Sequence, residues 1–203
     1  MMESILMEQH STRLSLAVSV VDDYTDRQVA GDVELALAEK RALVNPSGYY
    51  LFLDVADGNY TLKVQADYYF SQEQDVTLPL SGEPVIELTL KPTPAYPFPR
   101  GATLIRGIIR DTDGKPVSGA TAEVIGKEIE NKTTEEGEFV LYFKNLTEDD
   151  IIKIGRKRYV RRNNSRRLMA KASHPDYRSK IKRTEVEEGK TVSLYIEIRK
   201  KGG

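Results

Sequence analysis

The sequence contains no cysteine, no tryptophan and only two histidines in 203 residues. Without cysteine there is no disulfide and no thiolate metal site. Small secreted β domains often depend on such staples, so their absence favours a reducing compartment. A histidine-based zinc site draws at least three converging ligands, and His10 and His174 are too few to supply it. A Ser-His-Asp arrangement has no nucleophile elbow to support it. No apolar run is long enough to span a membrane. The first residues, MMESILMEQHSTR, carry Glu3 and Glu8 without a basic start, so they do not read as a signal peptide. The expected location is the cytoplasm, or a particle assembled there. A convincing 3.6-residue period is also missing up to residue 90, which points away from helices.

What is present is a sentence written twice. Ile108 to Val124 reads IIRDTDGKPVSGATAEV, and Val20 to Leu37 reads VVDDYTDRQVAGDVELAL. Val21 answers Ile109, Thr25-Asp26 answers Asp113-Gly114, and Val29-Ala30-Gly31 answers Val117-Ser118-Gly119. Asp-Gly is a turn pair, because glycine tolerates positive φ and aspartate can bond its own backbone. A repeat of about 87 residues is too long for a solenoid unit and reads as tandem domains. Each is large enough for a modest core.

Taken in order, residues 1–12 form an arm without a clear period. Leu14 to Val21, Val33 to Leu37 and Tyr49 to Val55 alternate as half-buried strands, with a short edge strand at Lys40 to Val44. Asp57-Gly58 is expected to close a hairpin into Tyr60 to Ala66. Gln74 to Leu78 and Pro84 to Leu90 complete the first domain, residues 13–90. The segment KPTPAYPFPR follows, with prolines at 92, 94, 97 and 99. Proline at that density favours extended polyproline II, so residues 91–102 read as a semi-rigid linker. Tyr96 and Phe98 are expected to pack against one of the domains. The second domain, residues 103–200, repeats the strands at Ile105 to Arg110, Glu138 to Phe143, Arg167 to Ser173, Tyr177 to Val186 and Thr191 to Arg199. The alternation places Val18, Val20, Val33, Leu35, Leu51, Leu53, Leu62 and Val64 in the first core. Ile105, Ile109, Val124, Phe139, Leu141, Leu168, Ala170 and Ile196 are their counterparts in the second.

The motif G-x-I-x-D-x-D-G-K-P-V-S-G-A spans Gly107 to Ala120. T-x-E-x-G-x-F follows at Thr134 to Phe139, with one residue of slack. These resemble the carboxypeptidase regulatory-like domain, one of the transthyretin-like β-sandwiches. The first module is similar but more divergent, with Asp26-Arg27 where Asp-Gly is usual. The resemblance implies an all-β chain of two tandem transthyretin-like (Ig-like) antiparallel sandwiches, joined by the proline-rich linker. It also implies a non-catalytic accessory or adhesion-like role; in the carboxypeptidases themselves the domain accompanies a zinc catalytic domain. A hydroxyisourate hydrolase shares the sandwich, but it implies several active-site histidines and a C-terminal Tyr-Arg-Gly-Ser that this chain lacks.

Three features carry the remaining candidate chemistry. Asp22, Asp23, Asp26, Asp111 and Asp113 place carboxylates at turns, but a calcium loop needs more oxygens at fixed spacing and a distal Glu. They read as solvated turn carboxylates, with no metal and no cofactor expected. Tyr68-Tyr69-Phe70 and Tyr49-Tyr50 could offer stacking surface, although alternation sends half of them inward. The third feature is an insertion at residues 145–166, NLTEDDIIKIGRKRYVRRNNSR, with no counterpart in the first module. Lys153, Arg156, Lys157, Arg158, Arg161, Arg162, Arg166 and Arg167 fall within 15 residues, with Tyr159 among them.

That insertion sharpens a charge asymmetry. Residues 1–100 hold 7 Lys/Arg and 15 Asp/Glu, net −8; residues 101–203 hold 23 and 16, net +7. Fields of this size act on association and solubility rather than on fold. The expectation is a non-catalytic structural or interaction protein within a larger assembly, on the analogy of tail-like or contractile-injection particles. Its protein partner, or a second copy, would meet the basic insertion and the acidic first domain. A module binding polysaccharide or nucleic acid is the alternative, since clustered cations also contact phosphates. A transthyretin-like hydrolase is the third reading.

Overall fold

The computed structural model describes residues 12–29 and 31–202. The arm up to residue 11, with His10, and Ala30 of the repeat lie outside the described residues. The chain divides into two compact units, residues 1–90 and 91–203.

The first unit has nine strands: β1 (Leu14–Asp22), β2 (Arg27–Gln28), β3 (Val33–Leu37), β4 (Lys40–Arg41), β5 (Leu43–Val44), β6 (Tyr50–Leu53), β7 (Gly58–Ala66), β8 (Gln72–Leu78) and β9 (Val85–Leu90). They form two sheets. In one, β1 lies between β6 and β9, with β5 on the far side of β6 and β2 on the end of β1; the other runs β4-β3-β7-β8. The expected edge strand at 40–44 is split: β4 pairs with β3 and β5 with β6, so the chain changes sheet at Ala42. Between the sheets lie Leu16, Val18, Val20, Leu35, Leu37, Phe52, Leu62, Val64, Leu88 and Leu90, all buried.

The second unit follows the same order with β10 (Thr103–Asp111), β11 (Thr121–Val124), β12 (Glu130–Lys132), β13 (Glu138–Phe143), β14 (Ile151–Ile154), β15 (Lys157–Val160), β16 (Arg167–His174), β17 (Tyr177–Glu185) and β18 (Thr191–Lys200). One layer is β18-β10-β13 and the other β12-β11-β16-β17. They join through only two residue pairs, Tyr177 with Lys200 and Arg178 with Arg199. The core contains Ile105, Ile109, Val124, Phe139, Leu141, Leu168, Ala170 and Ile196, and all eight are buried.

Four expectations need correction. The sheets are not purely antiparallel, because the first and last strands of each unit pair in parallel, β1 with β9 and β10 with β18. A strand that enters and one that leaves a sandwich by the same layer can run the same way when crossovers separate them. Asp57-Gly58 closes no hairpin: β6 and β7 lie in opposite layers, as do β10 and β11. Turn residues mark where a chain reverses, not which sheet the next strand joins. Third, Leu51, Leu53 and Val33 are only half-buried, and Phe52 takes the core position. Phe52 sits opposite Leu16 and so shares its inward face, while Leu51 lies opposite Ala17 on the other face. Finally, the repeat is offset by one residue from the Val21–Ile109 match. Asp22 lies opposite Leu90 and Asp111 opposite Ile198, each ending the parallel ladder, so Val20 answers Ile109. With a side-chain period of two, a one-residue slip exchanges inward and outward positions.

The motif residues are structural. The Asp111 carboxylate is buried and accepts the N–H groups of Asp113 and Lys115, each at 2.9 Å. Asp22, also buried, accepts the Tyr24 N–H at 2.7 Å in the first unit. Thr133 Oγ1 donates to Val117 O at 2.6 Å and accepts the Ala120 N–H at 2.9 Å, tying the two halves of the motif together. A Cβ on Gly107 would overlap the Leu194 carbonyl and the Phe139 ring, so only glycine lets β10 lie this close to both.

The proline-rich segment lies on the second unit. Pro92 O accepts from Asn131 Nδ2 at 2.8 Å, and the Arg106 guanidinium donates to the carbonyls of Pro94 and Tyr96. Phe98 packs 5.7 Å from the Tyr142 ring, centroid to centroid. Residues 92–98 therefore form a strap on the outer face of β10 and β13, so much of the expected linker is packed rather than free.

Candidate interaction surface

The insertion at 145–166 is built into its unit. Thr147 opens a single 3-10 turn, Glu148–Asp150, in which the Asp150 carboxylate accepts from the Thr147 hydroxyl at 3.0 Å and from its N–H at 3.2 Å. The hairpin of β14 and β15 follows, turning at Gly155, whose φ of +60° lies in the left-handed region. The hairpin is anchored at its base. Val160 N–H bonds Val186 O, and Glu188 N–H bonds Arg158 O, both at 2.9 Å. Ile151 and Val160 are buried in the core beside Val186.

Most of its cations have carboxylate partners in the same unit. Arg158 is clamped between Glu148, at 2.8 Å, and Glu188. Lys153 pairs with Glu148 at 3.1 Å, Lys157 with Glu187 at 3.1 Å and Arg166 with Glu185 at 2.9 Å; Arg167 reaches Glu185 at 3.9 Å. The Arg166 guanidinium also lies 5.3 Å from the Tyr159 ring centroid. The repulsion expected among eight close cations is thus largely relieved from within. Hydrogen bonds from Arg158 and then Lys153 hold the Glu148 carboxyl below its usual range. Lys127, paired at 2.8 Å, does the same for Asp150. The partners raise the Lys157 and Arg158 pKa values, through Glu187 and Glu188 respectively.

The remaining predicted residues lie at opposite ends of the hairpin, Arg156 at its turn and Arg161 and Arg162 just past its base. Arg156 is exposed beside the turn glycine. Arg161 donates from Nε to Asp149 O at 2.6 Å. Arg162 lies over Gly126, and both arginines line an open polar hollow with Lys127, Asp149, Asn163 and Asn164.

These pairs predict a pH dependence with a definite sign. A carboxylate whose folded pKa is depressed contributes stability above its unfolded pKa, and that contribution is lost as pH falls through the folded value. Glu148 and Asp150 should therefore keep the hairpin docked at neutral pH and release it below the ordinary carboxylate range. Hydrogen exchange measured across an acid series checks this. Amides of β14 and β15 should lose protection before those of β10 and β18; simultaneous loss would show that these pairs do not hold the hairpin.

The other candidates are occupied structurally. His174 Nδ1 accepts the Asp176 N–H at 3.2 Å, and its ring packs edge-on at 5.1 Å from Tyr177. Tyr68 is exposed, Tyr69 buried and Phe70 half-buried, so the aromatic run offers no common face.

Sequence reasoning placed the strand at β17 but did not single out its cations. Arg178, Lys180, Lys182 and Arg183 are exposed, and none has a carboxylate partner among the described residues. The signal was in YRSKIKRTE itself, a strand in which six consecutive residues, 178–183, are exposed.

No family model matches the chain, and no curated protein matches it. Among solved structures it is similar to the Bacillus anthracis TIE protein, at 13% identity over 92% of this chain and 34% of that one, with a TM-score of 0.34. It is similar to GBS52, the minor pilin of Streptococcus agalactiae, at 13% identity over 93% of this chain and 98% of that one, TM-score 0.34. A type II cohesin–X-dockerin complex from Acetivibrio cellulolyticus matches at 15% identity over 47% of this chain and 56% of that one, TM-score 0.32. The chain thus spans about a third of the first and about half of the third. No function is taken from likenesses this distant.

Proposed function

We propose that this chain is a non-catalytic structural and interaction protein, a component of a larger assembly. We read its units as two modules of the carboxypeptidase regulatory-like kind. The observation that carries the proposal is one strand order built twice with opposite charge: a sandwich rich in carboxylates and a sandwich rich in cations. The side chains best suited to chemistry support it, because they serve the fold instead. Asp22 and Asp111 close turns, His174 orders a turn, and Arg158 fastens the insertion. The insertion takes part through Arg156 at the hairpin turn and Arg161 and Arg162 past its base, which lack carboxylate partners among the described residues and meet an acidic protein surface. The cytoplasm, or a tail-like particle assembled there, is the location that the cysteine-free composition favours.

Capture on immobilised polyglutamate, compared with a labelled single-stranded oligonucleotide, tests this reading. At low salt the chain should be retained by polyglutamate and released as screening shortens the Debye length to about 3 Å near 1 M salt. Arg156→Glu with Arg162→Glu should weaken retention several-fold while leaving the thermal melt unchanged. Arg158 is left intact, because its loss would free the insertion rather than probe binding. Tight oligonucleotide binding with a steep salt slope would replace the protein-partner reading with the nucleic-acid one.

A further inference from the structure

On the reading just given, the second unit meets an acidic partner. We propose that the meeting surface is the open edge of β17, and that its occupant is β8 of a second copy of this chain.

Strand β17 pairs with β16 along its length, from Arg167–Glu185 to His174–Tyr177. Its other edge pairs with β18 only at Tyr177 and Arg178. Beyond that point the layers separate, and residues 179–185 have no ladder partner on that side among the described residues. One lysine reaches across the opening: Lys182 Nζ donates to Tyr195 O at 2.7 Å. Ile181, half exposed at 50%, lies on the same stretch. An unpaired edge of this length is a template for another strand. Lysines on such an edge repel neutral and basic strands; an acidic strand turns the same charges into attraction.

The first unit presents that strand. β8 ends its sheet, and no strand covers its outer edge among the described residues. Its seven residues match the open length of β17. Glu73, Asp75 and Thr77 are exposed, while Val76 and Leu78 point into the core. Glu73 is engaged only by an exposed pair with Lys63 at 3.2 Å, and Asp75 by the Thr61 hydroxyl at 3.0 Å. Exposed pairs of this kind are readily exchanged.

The spacing also agrees. Glu73 and Asp75 are two residues apart on one face of β8. Lys180 and Lys182 are two apart on one face of β17, opposite Ala172 and Ala170. An antiparallel pairing that sets Glu73 against Lys182 sets Asp75 against Lys180. Two cross-strand ion pairs then fix the register, and a slip of one residue loses both. In this arrangement β8 keeps its hydrophobic residues in its own core, so neither unit has to refold. A contact between unlike surfaces is heterologous, so repetition gives rings or filaments.

The test is sedimentation velocity on the intact chain at low ionic strength, with two double variants: Lys180→Glu with Lys182→Glu, and Glu73→Lys with Asp75→Lys. All four side chains are exposed, and unchanged thermal melts confirm folding. The parent should gain mass with concentration. Each variant alone should remain monomeric, and an equimolar mixture should assemble, because each supplies the edge the other has inverted. Parent-like assembly by either variant overturns this surface and leaves the functional reading standing. A monomeric parent that still binds polyglutamate overturns the second copy as occupant. A monomeric parent that binds neither polyglutamate nor oligonucleotide overturns both.

Discussion

Leu141→Ala should lower the stability of the second unit by about 2–5 kcal/mol. Leu141 is fully buried, lies opposite Ile105 across β10 and β13, and belongs to the cluster that includes Phe139, Leu168 and Ile196. Truncation removes apolar contacts and leaves a cavity that two facing sheets cannot easily collapse around. Leu51→Ala in the first unit is the control. Leu51 occupies the outer face of β6, pairs with Leu43 on the edge, and is only half-buried, so its loss should cost under about 1.5 kcal/mol by the burial scale for one side chain. Urea unfolding of the intact chain, with the two units followed by separate probes, checks both values. The chain has two compact units, so a single two-state fit is unsuitable. A loss below about 1 kcal/mol for Leu141→Ala would mean that β13 does not face the core as described.

That contrast shows where the sequence was readable. In the second unit the alternation is regular, and all eight expected core residues are buried. In the first, YYLFLDV is apolar on both faces at positions 51 to 53, so the pattern cannot choose between Phe52 and its neighbours. The choice is made by the pairing of Leu16 with Phe52, after an irregularity between Leu14 and Leu16. The turn at Asp113-Gly114 was legible because turn chemistry is local: Gly114 has φ +77°, and Asp111 caps the loop. The layer entered after the turn was not legible, because it depends on which distant strand offers a free edge.

Charge divides in the same way. The excess of cations in the insertion could be counted in the sequence, but their neutralisation could not. Arg158 and Glu188 are 30 residues apart and meet only because β15 docks beside residues 186–188. Charge without a carboxylate partner among the described residues remains at Arg156, Arg161 and Arg162 and also on β17, where Lys180 and Lys182 are spread along a strand rather than gathered in a run. The mean field of each unit was therefore legible, and the surface that presents it was not.

The second large effect concerns that field. Opposed charges on unlike units favour association at low salt, and shorter screening lengths remove the preference. The mass of the intact chain, measured by sedimentation velocity at roughly 0.03 M and 0.5 M salt, tests the account most directly. The expected result is concentration-dependent mass above the monomer at the lower salt and a monomer at the higher. A monomer at both, with no retention on polyglutamate at the lower, would contradict it.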